Sequence, residues 1–390
     1  MDFEHYFDWA ATAPCDKEIL RQSLETAMEY DANPSATHKK GSEARKILEE
    51  ARESCAKSLG VKASQIFFTS GGTESDHIPL LSVMNSPKKG RIIVSGIEHP
   101  ALREECLLLK KQGFELVTVN PDKNGFISPQ EIAANLDGDT LFVSVMAVNN
   151  ETGCIQPIYE IADAITEATK GKRRPHFHVD CVQAAGKIPL DLSHEGIDSA
   201  ALSAHKISGP RGIGILYLSR PITPFLAGGG QESNIRSGTE NLFGALAFSK
   251  CLEKYYLSKD NAPALKRFEE QKEWTRDFLK KLKEIKRCRL VPEVREDFEQ
   301  TDELFSPWVV QAAFIGIPGK VMVRALDAKG FAISTGSACS AKKQSRPILS
   351  AMKASREVQD SAVRFSFGAF TTKKAMDELF DAIKEVEAEF

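Results

Sequence analysis

The chain of 390 residues carries 51 basic and 54 acidic side chains, a formal charge of −3 and a pI near 6.3. These charges are well mixed along the sequence, which argues against a nucleic acid or a membrane surface as the main partner. The opening MDFEHYFDWAATAP lacks the basic start and apolar stretch of a secretory signal, no apolar run reaches the length of a membrane span, and eight scattered cysteines form no C-x-x-C pair. A soluble cytoplasmic protein with mostly reduced, buried thiols is the expectation.

From about Asp16 to Arg220, amphipathic stretches alternate with short apolar runs rich in β-branched residues. That alternation predicts an α/β domain with a mainly parallel sheet flanked by helices. The clearest helix is GSEARKILEEARESCAKSL (41–59). Strands are predicted at QIFFTS (65–70), RIIVSG (91–96), FELVTV (114–119), LFVSVMAV (141–148), HFHVD (176–180), SAALSAH (199–205) and GIGILYL (212–218). Several end in Ser, Thr, His, Asn or Asp, and ligands of open α/β sheets collect beyond the carboxyl ends of the strands. Past Gly244 a charged region with apolar residues at helical spacing, from about Ala245 to Lys286, reads as one long connector. WVVQAAFIG (308–316), VMVRALDAKG (321–330), AVRFSF (362–367) and a closing helix KKAMDELFDAIKEVEAEF predict a smaller α/β domain. The expected division is a large domain over 16–259 and a small one formed by 1–15 and 260–390.

Three strand ends carry chemistry. FTSGGTES (68–75) sets two glycines and several hydroxyls between a strand and a helix starting near Thr73, a ready anion site. An ordinary strand-to-helix turn with a Thr or Ser cap fits the same residues. HVDCVQAAGK (178–187) puts Asp180 at a strand end with Gln183 three residues on. A carboxylate and an amide so placed suit a protonated pyridine ring and its hydroxyl, and Asp180 suits a helix cap equally well. His176, His178 and Asp180 share one strand face, as a metal site or as buried histidines. SAHKISGPRGIG (203–214) places Lys206 after Ser203 and His205 at the end of an apolar segment. A lysine desolvated there can lose its proton and form an imine, whereas in a solvated loop it is one surface lysine among many.

Taken together, FTSGGTESD, GIEHPAL, VNNETG, HVDCVQAAGKIPLDL, SAHKISGPRGIG, GGGQESNIRSGTEN, STGSACS and AVRFSFG follow one another in the order and spacing of the NifS/IscS-like cysteine desulfurases. These are pyridoxal 5'-phosphate (PLP) enzymes of fold type I in the class V aminotransferase superfamily, and the resemblance covers nearly the whole chain. It implies that Lys206 forms the Schiff base with PLP, that Asp180 pairs with the pyridinium nitrogen and that Gln183 bonds the ring oxygen. His99, in GIEHPAL, resembles the ring-stacking histidine that also moves protons, with a pKa expected near neutrality. Gly72, Thr73, Ser203 and His205 match the phosphate cradle. Thr239 matches a residue given to the phosphate across a homodimer interface. Asn150 and Arg364 match the positions that hold the substrate carboxylate, Asn150 also counting among the residues around the cofactor. Cys339, within STGSACSAKKQSRP, resembles the thiol that takes sulfur from L-cysteine as a persulfide and hands it to an acceptor such as an iron–sulfur scaffold or a thiolation protein. No metal site is implied. Trp9, in DWAATAP, and Ala369, in FSFGAF, depart from the family pattern and put substrate range or acceptor choice in question. Rival expectations are another fold-type I activity, such as a selenocysteine lyase or a class V aminotransferase, and a catalytically silent scaffold subunit.

Overall fold

The computed structural model describes residues 3–336 and 346–390. Seven strands form the larger sheet: β1 (Ile66–Thr69), β2 (Arg91–Ser95), β3 (Glu115–Val119), β4 (Thr140–Ser144), β5 (His176–Asp180), β6 (Ser199–Ser203) and β7 (Gly214–Leu218). Their order is β1-β7-β6-β5-β4-β2-β3. All neighbours run parallel except β7, which is antiparallel to both β1 and β6. β1, β4, β6 and β7 are buried at every position, the mark of strands covered on both faces by helices. β8 (Cys288–Leu290), β9 (Val309–Phe314) and β10 (Ala362–Ser366) make a second, antiparallel sheet in the order β10-β9-β8. The predicted α/β architecture, with a large mainly parallel sheet and a smaller second one, is the one observed.

Two differences from the sequence expectation have local causes. The stretch read as one connector is two helices, Leu242–Tyr255 and Ala262–Glu284. Tyr256 is extended, the Asn261 side chain caps the second helix by accepting from Ala264 N–H, and Pro263 lies in its first turn. Cap and proline fit a helix start and break the periodic pattern. The first helix packs on Lys17–Glu29 and Lys39–Leu59, the second on Lys373–Ala388 and β8. The run predicted to stay strand through Val148 leaves the regular ladder after Ser144. There Met146 N–H turns to Glu98 Oε1 at 2.8 Å.

The first residues join the small sheet. Phe7 N–H donates to Ala332 O and Phe7 O accepts from Ser366 N–H, both at 2.8 Å, and its ring is buried with Phe365 and Phe367. The chain then crosses as Asp8–Ala11 to the carboxyl end of the large sheet. No helix among the described residues is long and apolar enough to cross a membrane.

Candidate active site

One cavity of about 250 Å³ gathers Gly72, Thr73, His99, Asn150, Asp180, Gln183, Ser203, His205, Lys206 and Arg364. Residues at or beyond the ends of β1, β2, β4, β5 and β6, Arg364 of β10 and a crossing loop therefore meet at one point. Lys206 follows β6 through a short turn, Ala204–Lys206, that ends the strand and lifts the side chain over the sheet edge. Its Nζ donates to the carbonyls of Ala10 and Ala11 at 2.6 and 2.7 Å.

The anion cradle is built by backbone. Gly71 has φ +152° and ψ −176°, a conformation open essentially to glycine alone, and it starts the helix Gly72–Leu81. A Cβ on Gly72 would meet Val182 Cγ2 at 2.7 Å, so the helix end lies close against the loop after β5. Free N–H groups at that helix start, with Thr73, Ser203 and His205 around them, suit a phosphate. His205 Nδ1 is hydrogen-bonded to Thr12 Oγ1 at 3.1 Å. Burial and the Lys206 charge push its pKa down to about 3, so the imidazole is neutral.

Asp180 is almost fully buried and accepts from Val182 N–H at 2.9 Å. Burial, then the nearby Asp76 carboxyl, raise its pKa to about 7. A buried carboxylate held this high has a use for a cationic partner, as a protonated ring nitrogen would be. Asn150 Oδ1 and Arg364 Nε are buried with no hydrogen-bond partner among the described residues. These groups fit PLP on the cradle and an amino-acid carboxylate beside it. Arg364 Nη1 donates to Asn150 O at 2.8 Å and Nη2 pairs with Asp8 Oδ1 at 2.6 Å, which leaves the Nε side for a carboxylate.

His99 caps the helix Pro100–Lys111, its Nδ1 accepting from Ala101 N–H at 3.2 Å. That bond assigns the proton of the neutral ring to Nε2. The expectation of a pKa near neutrality does not hold here. Burial, with smaller contributions from the Lys206 and Arg103 charges, lowers it to about 4, so His99 rests as a neutral ring.

Thr239 is exposed and outside this cavity, and Cys339 lies outside the described residues. His176 and His178 both reach Ser199 Oγ at 2.7 Å, and His178 also bonds Asp76 Oδ1 at 3.0 Å. His178 is fully buried and His176 partly so. The sequence reading missed Asp8, Asp76 and the carbonyls of Ala10 and Ala11. Asp76 carried a signal, since it stands three residues after Thr73 on the same helix. The two carbonyls carried none, being backbone groups.

The two departures, Trp9 and Ala369, share the wall of a second cavity of about 210 Å³ that also touches Lys206. Trp9 lies flat against Gly368, where any side-chain carbon would run into the indole.

Comparison with known proteins gives the family and the fold. The family description "Aminotransferase class-V" matches residues 5–379. A cysteine desulfurase IscS of Dictyoglomus turgidum is 35% identical over 391 residues, covering 99% of this chain and 95% of the relative. A solved NifS-like protein superposes with a TM-score of 0.87 at 32% identity, covering 99% of this chain and all of its own. A structure described as SspA in complex with cysteine superposes with a TM-score of 0.78 at 27% identity, covering 94% of this chain and 100% of its own.

Proposed function

This chain belongs to the class-V aminotransferase family, within it to the cysteine desulfurases, and we propose that it takes sulfur from L-cysteine using Lys206 and Cys339 and releases L-alanine. It is a PLP-dependent enzyme. One observation carries the residue assignments: Lys206, Asp180, His99 and the Asn150–Arg364 pair line a single cavity with an anion cradle at one end. When bound, PLP supplies the electron sink that loosens the Cα–H and Cβ–S bonds of an amino acid.

The chain's own residues do the rest. Gly72, Thr73, Ser203 and His205 anchor the phosphate, and Asp180 balances the ring nitrogen's proton. Gln183 donates to the ring oxygen. Arg364, steadied by Asp8 and the Asn150 carbonyl, takes the substrate carboxylate together with the Asn150 side chain, and so fixes which Cα bond faces Lys206. The Lys206 amine is placed to remove the Cα proton, and neutral His99, with its proton on Nε2, is placed to assist proton movement about the substrate. The Cys339 thiolate attacks the substrate sulfur: the S–S bond forms as the Cβ–S bond breaks, the electron pair stays on Cβ, which takes a proton on the way to L-alanine, and the outer persulfide sulfur then passes to a protein acceptor such as an iron–sulfur scaffold or a thiolation carrier. Exposed Thr239 serves the phosphate of a partner subunit, which makes the working form a homodimer. The proposed division is into one unit of 16–259 and another of 1–15 with 260–390, and the cavity draws residues from both stretches. The cytoplasm is the proposed location.

Purified enzyme given L-cysteine should form one L-alanine per sulfur released and no keto acid, read by amino-acid analysis with sulfide and persulfide assays. A keto acid in place of alanine would make it an aminotransferase. Arg364→Ala should raise the KM for L-cysteine by roughly 30-fold, the loss of a charged hydrogen-bond pair, with a smaller change in kcat. Steady-state kinetics that show kcat falling alone would remove Arg364 from the carboxylate role.

A further inference from the structure

Lys187 is a buried amine that none of the roles above uses. It is 7% exposed, and its backbone carbonyl is held by Trp308 Nε1–H at 2.7 Å. Its Nζ donates to Gln183 Oε1 at 2.5 Å. Gln183 Nε2 in turn donates to Ala10 O at 2.9 Å, the same carbonyl that accepts from Lys206 Nζ. An unbroken chain of hydrogen bonds thus runs from Lys187 through Gln183 and Ala10 to Lys206.

The two ends of an amide differ, and its partners decide which way it turns. With Lys187 donating on one side and the Ala10 carbonyl accepting on the other, only one orientation of Gln183 satisfies both. The reversed amide would set its oxygen against the Ala10 oxygen. In the orientation observed, one N–H of Gln183 goes to Ala10 and the second is left for an acceptor in the cavity that Gln183 lines. The ionisable groups around Lys187 are Lys206, Arg364 and His205, with Lys254, Tyr255 and Arg267 in the wall of the second cavity, which Lys187 also lines. That wall holds no carboxylate among its described residues. Burial and the two neighbouring cations favour the uncharged amine, which still donates to Gln183.

We propose that Lys187 is a positioning residue: it locks the Gln183 amide so that an N–H meets the cofactor's ring oxygen, and thereby lowers the pH at which the Lys206 nitrogen bound to the cofactor releases its proton. A donated N–H stabilises the ring oxygen's anion and competes for the bond that this oxygen makes to the protonated Lys206 nitrogen. The proposal rests on the placing of Gln183 at the ring oxygen.

The test is the pH midpoint of the visible absorbance of holoenzyme without substrate, followed in four proteins. Gln183→Ala should raise the midpoint by about one pH unit, as loss of one hydrogen bond to a charged group would. Lys187→Met should raise it by most of that amount, Lys187→Arg should leave it near wild type, and the double variant should match Gln183→Ala alone, since one residue acts through the other. Should Lys187→Met not retain cofactor, Lys187→Gln, too short to reach the amide, carries the same expectation. A wild-type midpoint in Lys187→Met, or shifts that add in full in the double variant, would overturn the role of Lys187. A wild-type midpoint in Gln183→Ala would overturn its premise instead.

Discussion

Replacing Lys206 by alanine is expected to lower alanine formation from L-cysteine by roughly 10⁴-fold, the upper range for removing a positioned acid–base group. The variant should still bind PLP, because the phosphate cradle, Asp180 and His99 are left in place, but less tightly and without a covalent link. Borohydride reduction followed by desalting separates the two forms of attachment. Wild type keeps the reduced cofactor on a peptide containing Lys206, whereas Lys206→Ala loses it. The geometry makes this lysine suitable: it lines the cavity, and its amine is steered by the Ala10 and Ala11 carbonyls. Wild-type turnover in the variant, or cofactor mapped to Lys187 in the wild-type protein, would sink the assignment.

What the sequence made legible follows from where the sheet ends. Thr69, Asp180 and Ser203 close β1, β5 and β6, and polar residues at the carboxyl ends of apolar strands mark the ligand side of an open α/β sheet. The resemblance then joined Lys206, His99, Asn150 and Arg364 to that edge, and the structure brings them into one cavity. Contacts made across the whole chain were not legible. Asp8 meets Arg364 from 356 positions away, and Ala10 meets Lys206 from 196, by a side chain in one case and a backbone oxygen in the other. The neutrality of His99 was also hidden, since it comes from burial and from a neighbour's charge, which no local motif reports. The break between Leu242–Tyr255 and Ala262–Glu284 had a visible cue in Asn261 and Pro263, overridden by the continuous helical spacing of the apolar residues.

Those same contacts explain why Asp8–Ala11 belongs to the site although it begins in the small sheet. Asp8 pairs with Arg364, and the Ala10 and Ala11 carbonyls hold Lys206 and Gln183. Trp9, between them, is buried against Gly368 and edge-on to Phe370 at 5.6 Å. The bulky residue at this departure therefore anchors the crossing segment while its neighbours on both sides face the chemistry. Ala369 lines the second cavity together with the indole.

Cys339→Ser is expected to lower sulfur release by roughly 10³-fold, the scale of removing a nucleophile, while L-cysteine still perturbs the visible spectrum of the holoenzyme. Cys55, Cys106, Cys154, Cys181, Cys251 and Cys288 are buried, and burial raises every one of their thiol pKa values. No cysteine lines the cavity among the described residues. A buried thiol that resists ionisation is a poor nucleophile, so the chemistry calls for one from elsewhere. The chain on either side of Cys339 is tied to the site. Gly336 stands against Glu151, and Arg346 Nη2 lies 3.9 Å from Glu151 Oε2, one residue from Asn150. Incubating wild type with L-cysteine and then trapping with an alkylating agent should show one added sulfur on the Cys339 peptide by mass spectrometry. In Cys339→Ser that mass should vanish, with cysteine binding retained. Unchanged alanine and persulfide formation in the variant would instead assign the chain to a fold-type I activity for which this thiol is dispensable, such as a selenocysteine lyase or an aminotransferase.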